Sequence, residues 1–212
     1  MSKKDGKKDE LYQLWIQHVD LAWTTATYLG PAEDKGKVNV KLNMNGTVLS
    51  IPGPLHPPRI WGIYEKVSNE ELQAKCDNLV DLETINEGII LHHVKTRFQG
   101  RKIYTLVGTI LIAVNPYQSF PDLYKEDVME KVRKRVAQGS TPTPHVFTIA
   151  ANALSEMIMQ VRDQSVLISG ESGSGKTETT KKLLQFLSNA GSKKNDIASA
   201  ILDSNPILES FG

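Results

Sequence analysis

The sequence predicts an α/β fold, with helices flanking a largely parallel central sheet and a small β-barrel ahead of it. Three observations carry this. Short runs rich in aromatic and β-branched residues fill positions 11–51. Beyond Asp81, helical and strand-like patterns alternate. At 166–187 an apolar run, a glycine-rich loop and an amphipathic stretch succeed one another without a gap, in the order strand, loop, helix.

Residues 1–10 are charged and poor in apolar side chains, which predicts a disordered, solvated tail. Within 11–52, LYQLWIQ, AWTTATYL, VNVKL and TVLSI read as strands of the barrel. The last two flank Asn45-Gly46, a pair that tolerates the positive φ of a tight type I′ turn, so a hairpin is expected there. A barrel this small buries too little surface to stand alone and should dock on the larger α/β part of the chain. PGPLHPPRIWG, with four prolines and two glycines, marks a connector, taken as 53–77.

The α/β part covers 78–212. Thr84 and Glu87 have the spacing of a capping box for a helix with Ile85, Ile89, Val94 and Phe98 near one face, ended by Gly100. IYTLVGTILIAV at 103–114 is almost continuously apolar and reads as a strand buried on both faces. A polar helix over 126–138 carries Val128, Val132 and Val136 and stops at Gly139. A second helix, 145–161, repeats Ile149, Ala153, Met157 and Val161 at helical spacing. VLIS at 166–169 is the short buried strand before the glycine loop.

Composition narrows the function classes. Lys and Arg number 25 against 24 Asp and Glu, so no global field points to nucleic acid or an acidic membrane. Cys76 is the single cysteine and forms no internal disulfide. The charged start lacks a secretory signal, and no apolar run approaches the roughly 20 residues of a membrane span. A cytoplasmic protein is expected. His92 and His93 would point about 100° apart on a helix and lack a third ligand at metal spacing, so both read as structural. His145 reads as a helix-start residue, and Lys131, Arg133, Lys134 and Arg135 as a solvated basic face.

The chemistry sits at 170–177. Gly170, Glu171, Ser172, Gly173, Ser174, Gly175, Lys176 and Thr177 match G-x-x-x-x-G-K-[ST] at every fixed position. Such a loop turns tightly at its glycines and brings backbone N–H groups against phosphate oxygens, beside the positive end of a helix. Lys176 is placed for the β- and γ-phosphates and the Thr177 hydroxyl for Mg²⁺. The fold expected around it is a P-loop NTPase-type central sheet with flanking helices.

Wider segments resemble the myosin motor head. They are GESGSGKTE at 170–178, NPYQSFPDLY at 115–124, PHVFTIAANA at 144–153, AILDSNPILESFG at 200–212 and the stretch 81–117. LWIQHVDLAWTTATYL is similar to the SH3-like β-barrel at that head's N-terminus. The resemblance covers 11–212 in the family's order. It implies ATP and Mg²⁺ as ligands, a purine-binding loop at Asn115, Pro116 and Tyr124, and a flexible surface loop at 191–196. It also implies actin as partner through regions beyond this sequence, light chains or calmodulin in the full-length protein, and a cytoskeletal location. Ser174 stands where alanine is commoner in the family, and one extra residue separates Asn115 from Tyr124. The family's switch I and switch II segments do not occur in the sequence, so the central sheet is expected to be incomplete. No catalytic residue is assigned within it, and alone it should be inactive as an ATPase. The rival classes are a small P-loop kinase, a GTP-binding module, or an assembly module that uses nucleotide for stability. Neither an arginine-rich lid nor an Asn-Lys-x-Asp element is found after Thr177.

Overall fold

The structure, a computed structural model, describes residues 13–52, 64–67 and 69–190. The expected tail at 1–10, the proline-rich stretch 53–63 and the expected loop at 191–196 lie outside the described residues. The chain divides into two compact units, one of residues up to 76 together with 81–95, the other of 77–80 together with 96 onward.

The first unit is built on five strands: β1 (Gln13–His18), β2 (Ala22–Pro31), β3 (Lys37–Leu42), β4 (Val48–Pro52) and β5 (Tyr64–Val67). All pair antiparallel in the order β4-β3-β2-β1-β5. Alternation along the strands sends Leu14, Ile16, Ala26, Val38, Val40 and Leu42 into one buried cluster. Trp15 points to the opposite face and packs with Val67 and Ile89. The stretch read as a connector therefore contains a strand, β5, and a short helix α1 (Asn69–Gln73). YEKV is too short and too polar to announce itself, and pairing with β1 makes it a strand.

The β3–β4 hairpin forms, but not through the expected type I′ turn. Gly46 has φ +75° while Asn45 is not left-handed, and the five-residue loop closes with Gly46 N–H on the Leu42 carbonyl at 2.8 Å. One left-handed glycine is enough when the loop is longer than two residues.

Helix α2 (Glu87–Gln99) starts later than the Thr84 capping box implied. Asn86 caps it instead, its Oδ1 accepting from Ile89 N–H at 2.8 Å, while Thr84 N–H is held by Glu71 at 2.7 Å. The buried face matches the expected stripe only in part: Ile89 is buried and Val94 half-buried, but Ile85 and Phe98 are exposed and His93 is buried instead. The reason is polar. The Nε2–H groups of His92 and His93 donate to the carbonyls of Leu72 and Glu71 at 3.0 and 2.9 Å, which draws the histidine side of the helix onto α1. At the far end Arg101, not Gly100, takes the left-handed position, with φ +60°. Lys102 N–H closes on the Arg97 carbonyl at 2.9 Å.

In the second unit the apolar run 103–114 is two strands. β6 (Tyr104–Val107) and β7 (Ile110–Ala113) form a hairpin in which Val107 faces Ile110. Gly108, at φ +63°, supplies the positive φ that a two-residue turn needs at its first position. Sequence periodicity cannot distinguish one long apolar strand from two short ones joined by a single glycine. Arg97 anchors this hairpin. Its guanidinium is nearly buried, and it bonds the Tyr104 carbonyl, the Thr105 hydroxyl at 2.9 Å and Asp77 at 2.7 Å.

Helices α3 (Glu126–Ala137), α4 (Val146–Gln160) and α5 (Lys176–Ala190) complete the unit. Met129, Val132, Phe147, Ala150 and Phe186 lie in its core, with the Phe147 and Phe186 rings 5.2 Å apart. Gly139 ends α3 at φ +62°, as expected. On α4 the buried residues are Val146, Phe147, Thr148, Ala150 and Ala151, whereas Met157 and Val161 of the expected stripe are exposed. Of the basic run, Lys131 and Lys134 pair with Asp127 and Glu130 on their own helix, but Arg133 lies over the Phe186 ring at 5.1 Å. The VLIS segment at 166–169 is not a strand. Val166 is exposed and Leu167 is 92% exposed. Nor is there a parallel sheet among the described residues, where both sheets are antiparallel and Asn78–Leu106 is a lone parallel bridge. An apolar tetrapeptide becomes a strand only when another strand pairs with it, and among the described residues none does.

A Cβ at Gly88 would fall 2.5 to 2.9 Å from the Trp15 indole, closer than the ring can yield without moving. Gly88→Ala should therefore destabilise the first unit by roughly 1–3 kcal/mol, outweighing alanine's helix preference of about 1 kcal/mol. Thermal unfolding of the full chain followed by tryptophan fluorescence checks this; an unchanged or raised midpoint contradicts the packing.

Candidate phosphate-binding site

The loop 170–177 runs into the first turn of α5, which opens at Lys176. Gly173 and Gly175 take φ +76° and +95°, values that a side chain would make costly. Ser174 N–H bonds the Glu171 carbonyl at 3.2 Å, and Thr179 N–H bonds the Gly175 carbonyl at 2.9 Å. The Lys176 ammonium lies across the loop, donating to the carbonyls of Gly170 and Glu171 at 2.8 and 2.9 Å. Glu171 and Ser172 are exposed, while Ser174 and Thr177 are half-buried. The Ser174 side chain turns back across the neck of the loop, its Oγ 2.5 Å from where a Cβ on Gly170 would stand.

The hairpin delivers a second segment to this loop. Asn115 comes just after β7, and its Nδ2 donates to the Gly173 carbonyl at 2.8 Å. Its Oδ1 accepts from Tyr117 N–H at 3.0 Å. Each end of the amide is thus engaged once, leaving one N–H and one lone pair for a further partner. Pro116 sits between, half-buried. Tyr117 has φ +49°, is 85% exposed, and brings its hydroxyl to 3.5 Å from the Gly173 carbonyl.

Tyr124 stands elsewhere. It lies in the 3-10 turn Pro121–Tyr124, with its hydroxyl 2.9 Å from that of Tyr104 and the Lys182 ammonium 4.7 Å over its ring. The structure thus brings Asn115 and Pro116 to the 170–177 loop and seats Tyr124 on the core. The residue that sequence reasoning passed over is Tyr117; its only signal was an aromatic directly after Asn-Pro.

The Myosin head (motor domain) family model matches residues 76–212. The chain belongs to the myosin head family. It is 38% identical over 199 residues to the high molecular weight form of myosin-1 of Acanthamoeba castellanii, covering 94% of this chain and 12% of that protein. It is 43% identical over 149 residues to myosin heavy chain 95F of Drosophila melanogaster, covering 68% of this chain and 12% of that one. With unconventional myosin-VI of Mus musculus it shares 40% over 148 residues, 70% of this chain and 11% of that protein. The chain thus spans about an eighth of the length of these myosins. No helix among the described residues is long and apolar enough to cross a membrane.

In this myosin head chain His145 joins the 115–124 segment to α4. Its Nδ1 accepts from Phe147 N–H at 3.0 Å, capping the helix, and its Nε2–H donates to the Leu123 carbonyl at 3.0 Å. The bond accepted by Nδ1 requires the neutral ring, protonated at Nε2. Burial pushes its pKa down to about 4, against a smaller upward pull from the Leu123 carbonyl. Burial, then the bond to Tyr124, raises the pKa of Tyr104, which stays protonated.

A histidine held at about 4 when folded and near 6.5 when unfolded contributes stability above pH 6.5 that disappears as pH falls toward 4. The full loss is roughly 3 kcal/mol. Denaturation midpoints of the full chain between pH 7 and 4 should fall accordingly. His145→Asn, which keeps a capping acceptor, should flatten that slope; an unchanged slope means another group titrates.

Proposed function

We propose that residues 170–177 bind the phosphates of MgATP, and that the chain is the ATP-binding N-terminal segment of an actin-based myosin motor. The observation that carries this is the meeting of two segments at the start of α5. Asn115 reaches Gly173 across 58 positions of sequence, beside a lysine that already spans the loop. In this reading the Lys176 ammonium exchanges loop carbonyls for β- and γ-phosphate oxygens, and the N–H groups of the first turn of α5 face the same anion. The Thr177 hydroxyl holds Mg²⁺, which would neutralise charge on the phosphates when bound. Asn115 and Pro116 form the near wall of the purine site, and the spare donor and acceptor of Asn115 meet the base edge.

The finer fold belongs to the same proposal. The five-stranded sheet is an SH3-like barrel module. The segment 166–169 becomes a strand of a P-loop NTPase-type sheet when flanked by strands from outside this chain. Groups that position the attacking water and stabilise the γ-phosphate lie in segments outside the chain, so these residues bind nucleotide without turning it over at a useful rate. The whole protein is a cytoplasmic, cytoskeletal, actin-activated Mg-ATPase with light chains or calmodulin bound.

Lys176→Ala tests the site. It removes the one full positive charge of the loop, and charge-assisted bonds are worth about 1.5–3 kcal/mol each. Affinity for a fluorescent ATP analogue should fall by about tenfold to more than a hundredfold. Unchanged binding would sink the assignment.

Base selection should be modest, because Asn115 has one donor and one acceptor left to offer. Competition of ATP with GTP for the site measures it. A preference for GTP of tenfold or more, about 1.4 kcal/mol, would favour a GTP-binding module instead.

A further inference from the structure

We propose that the cavity between α3, α4 and α5 binds a small organic acid, one carboxylate on a compact apolar body, with Arg133 as its anchor. The site is separate from residues 170–177 and does not depend on the nucleotide reading.

Arg133, on α3, lines a cavity of about 340 Å³ within the second unit. That volume lies in the range of about 300–1,000 Å³ found for small-molecule sites. Val136, Leu154, Ile158 and Phe186 supply much of the wall, and Ser155 is its other polar residue. Such a wall takes an aromatic or branched aliphatic body, which leaves water on entering.

The guanidinium sets the other half of the ligand. Its carbon lies 5.1 Å from the centre of the Phe186 ring. Its Nη1 has Glu130 at 3.9 Å, too far for a hydrogen bond. Nε and Nη2 are shielded from water and meet no acceptor among the described residues. Donors in that state carry a desolvation cost with nothing to offset it. These two nitrogens share one edge of the guanidinium, and their N–H bonds form the fork that a carboxylate accepts with both oxygens. The side chain as a whole keeps 34% of its surface exposed, so a turn of the guanidinium over the Phe186 ring presents the fork to the cavity. Since the two donors have no water to surrender, the bonds they make there are gained nearly in full. One negative charge matches this single cation. A phosphate dianion would bring a second charge between apolar walls with no partner for it.

The experiment compares 2-naphthoate with 2-naphthamide, which has the same shape and no charge, by calorimetric titration of the full chain. Naphthoate should bind at least about tenfold more tightly than the amide. Arg133→Met, which keeps an apolar stem and loses the fork, should erase that preference. Ser155→Phe, at a half-buried position, puts a ring into the cavity and should remove binding of both compounds. Far-ultraviolet circular dichroism and the thermal midpoint check that each variant is folded, and the comparison of acid with amide on the parent chain needs no variant at all. Absence of naphthoate binding to the parent chain overturns the proposal, as does equal affinity for acid and amide. So does a preference that survives Arg133→Met, or binding undiminished in a folded Ser155→Phe chain.

Discussion

A single neutral imidazole sets much of the second unit. His145 both caps α4 and bonds Leu123, so the end of the segment that begins at Asn115 is fixed to the start of the helix that packs on α5. Because α5 carries the glycine loop 170–177 at its start, the distance from Asn115 to Gly173 depends on this bridge as well as on the hairpin. A serine or aspartate at 145 could cap the helix, but neither reaches a second carbonyl from the same position. Protonation would turn Nδ1 into a donor facing the Phe147 N–H, which is why burial and geometry agree in keeping the ring neutral.

Arg97 plays the matching part at the other end of the hairpin. A nearly buried guanidinium is costly unless its donors are met, and this one is met by Asp77, the Tyr104 carbonyl and the Thr105 hydroxyl. Those bonds fix β6, and the tight turn at Gly108 then fixes β7, from whose end Asn115 projects. Two polar anchors thus hold a segment whose apolar contacts alone would allow it to slide.

Local signals were legible in the sequence where one residue type has one physical use. The glycine-lysine loop, the stop at Gly139, the helix start at His145 and four of the five strands of the first sheet rest on such residues. Long-range signals were not. Ile149, Ala153, Met157 and Val161 share a helical period, yet the buried face of α4 is set by what α3 and α5 offer it, through Phe147, Ala150 and Ala151. The face of α2 was legible only at Ile89: two histidines, polar by type, are bound to α1 carbonyls and leave Ile85 and Phe98 of the stripe exposed. Within the site, Asn115 was visible from the Asn-Pro pair. The contrast between Tyr117 and Tyr124 was not, because it depends on Tyr104, twenty positions away from Tyr124, and on Lys182.

The segment 166–169 shows how far local sequence determines a strand. Its four residues are as apolar as those of β6, and β6 is a strand because β7 supplies its ladder and Arg97 holds its carbonyl. The difference lies in neighbours rather than in propensity, which is a weak preference for strands in any case. Leu167, almost fully exposed, and the exposed end of α4 at Ile158, Met159 and Val161 form apolar surface on either side of the turn into this segment. Surface of that kind, next to the glycine loop, is apolar area left for a packing partner to cover. The glycine loop takes its shape at the head of α5 without a strand formed at 166–169. The shape of the cradle is set by its glycines and by Asn115, and a neighbouring sheet would add rigidity to a geometry already in place.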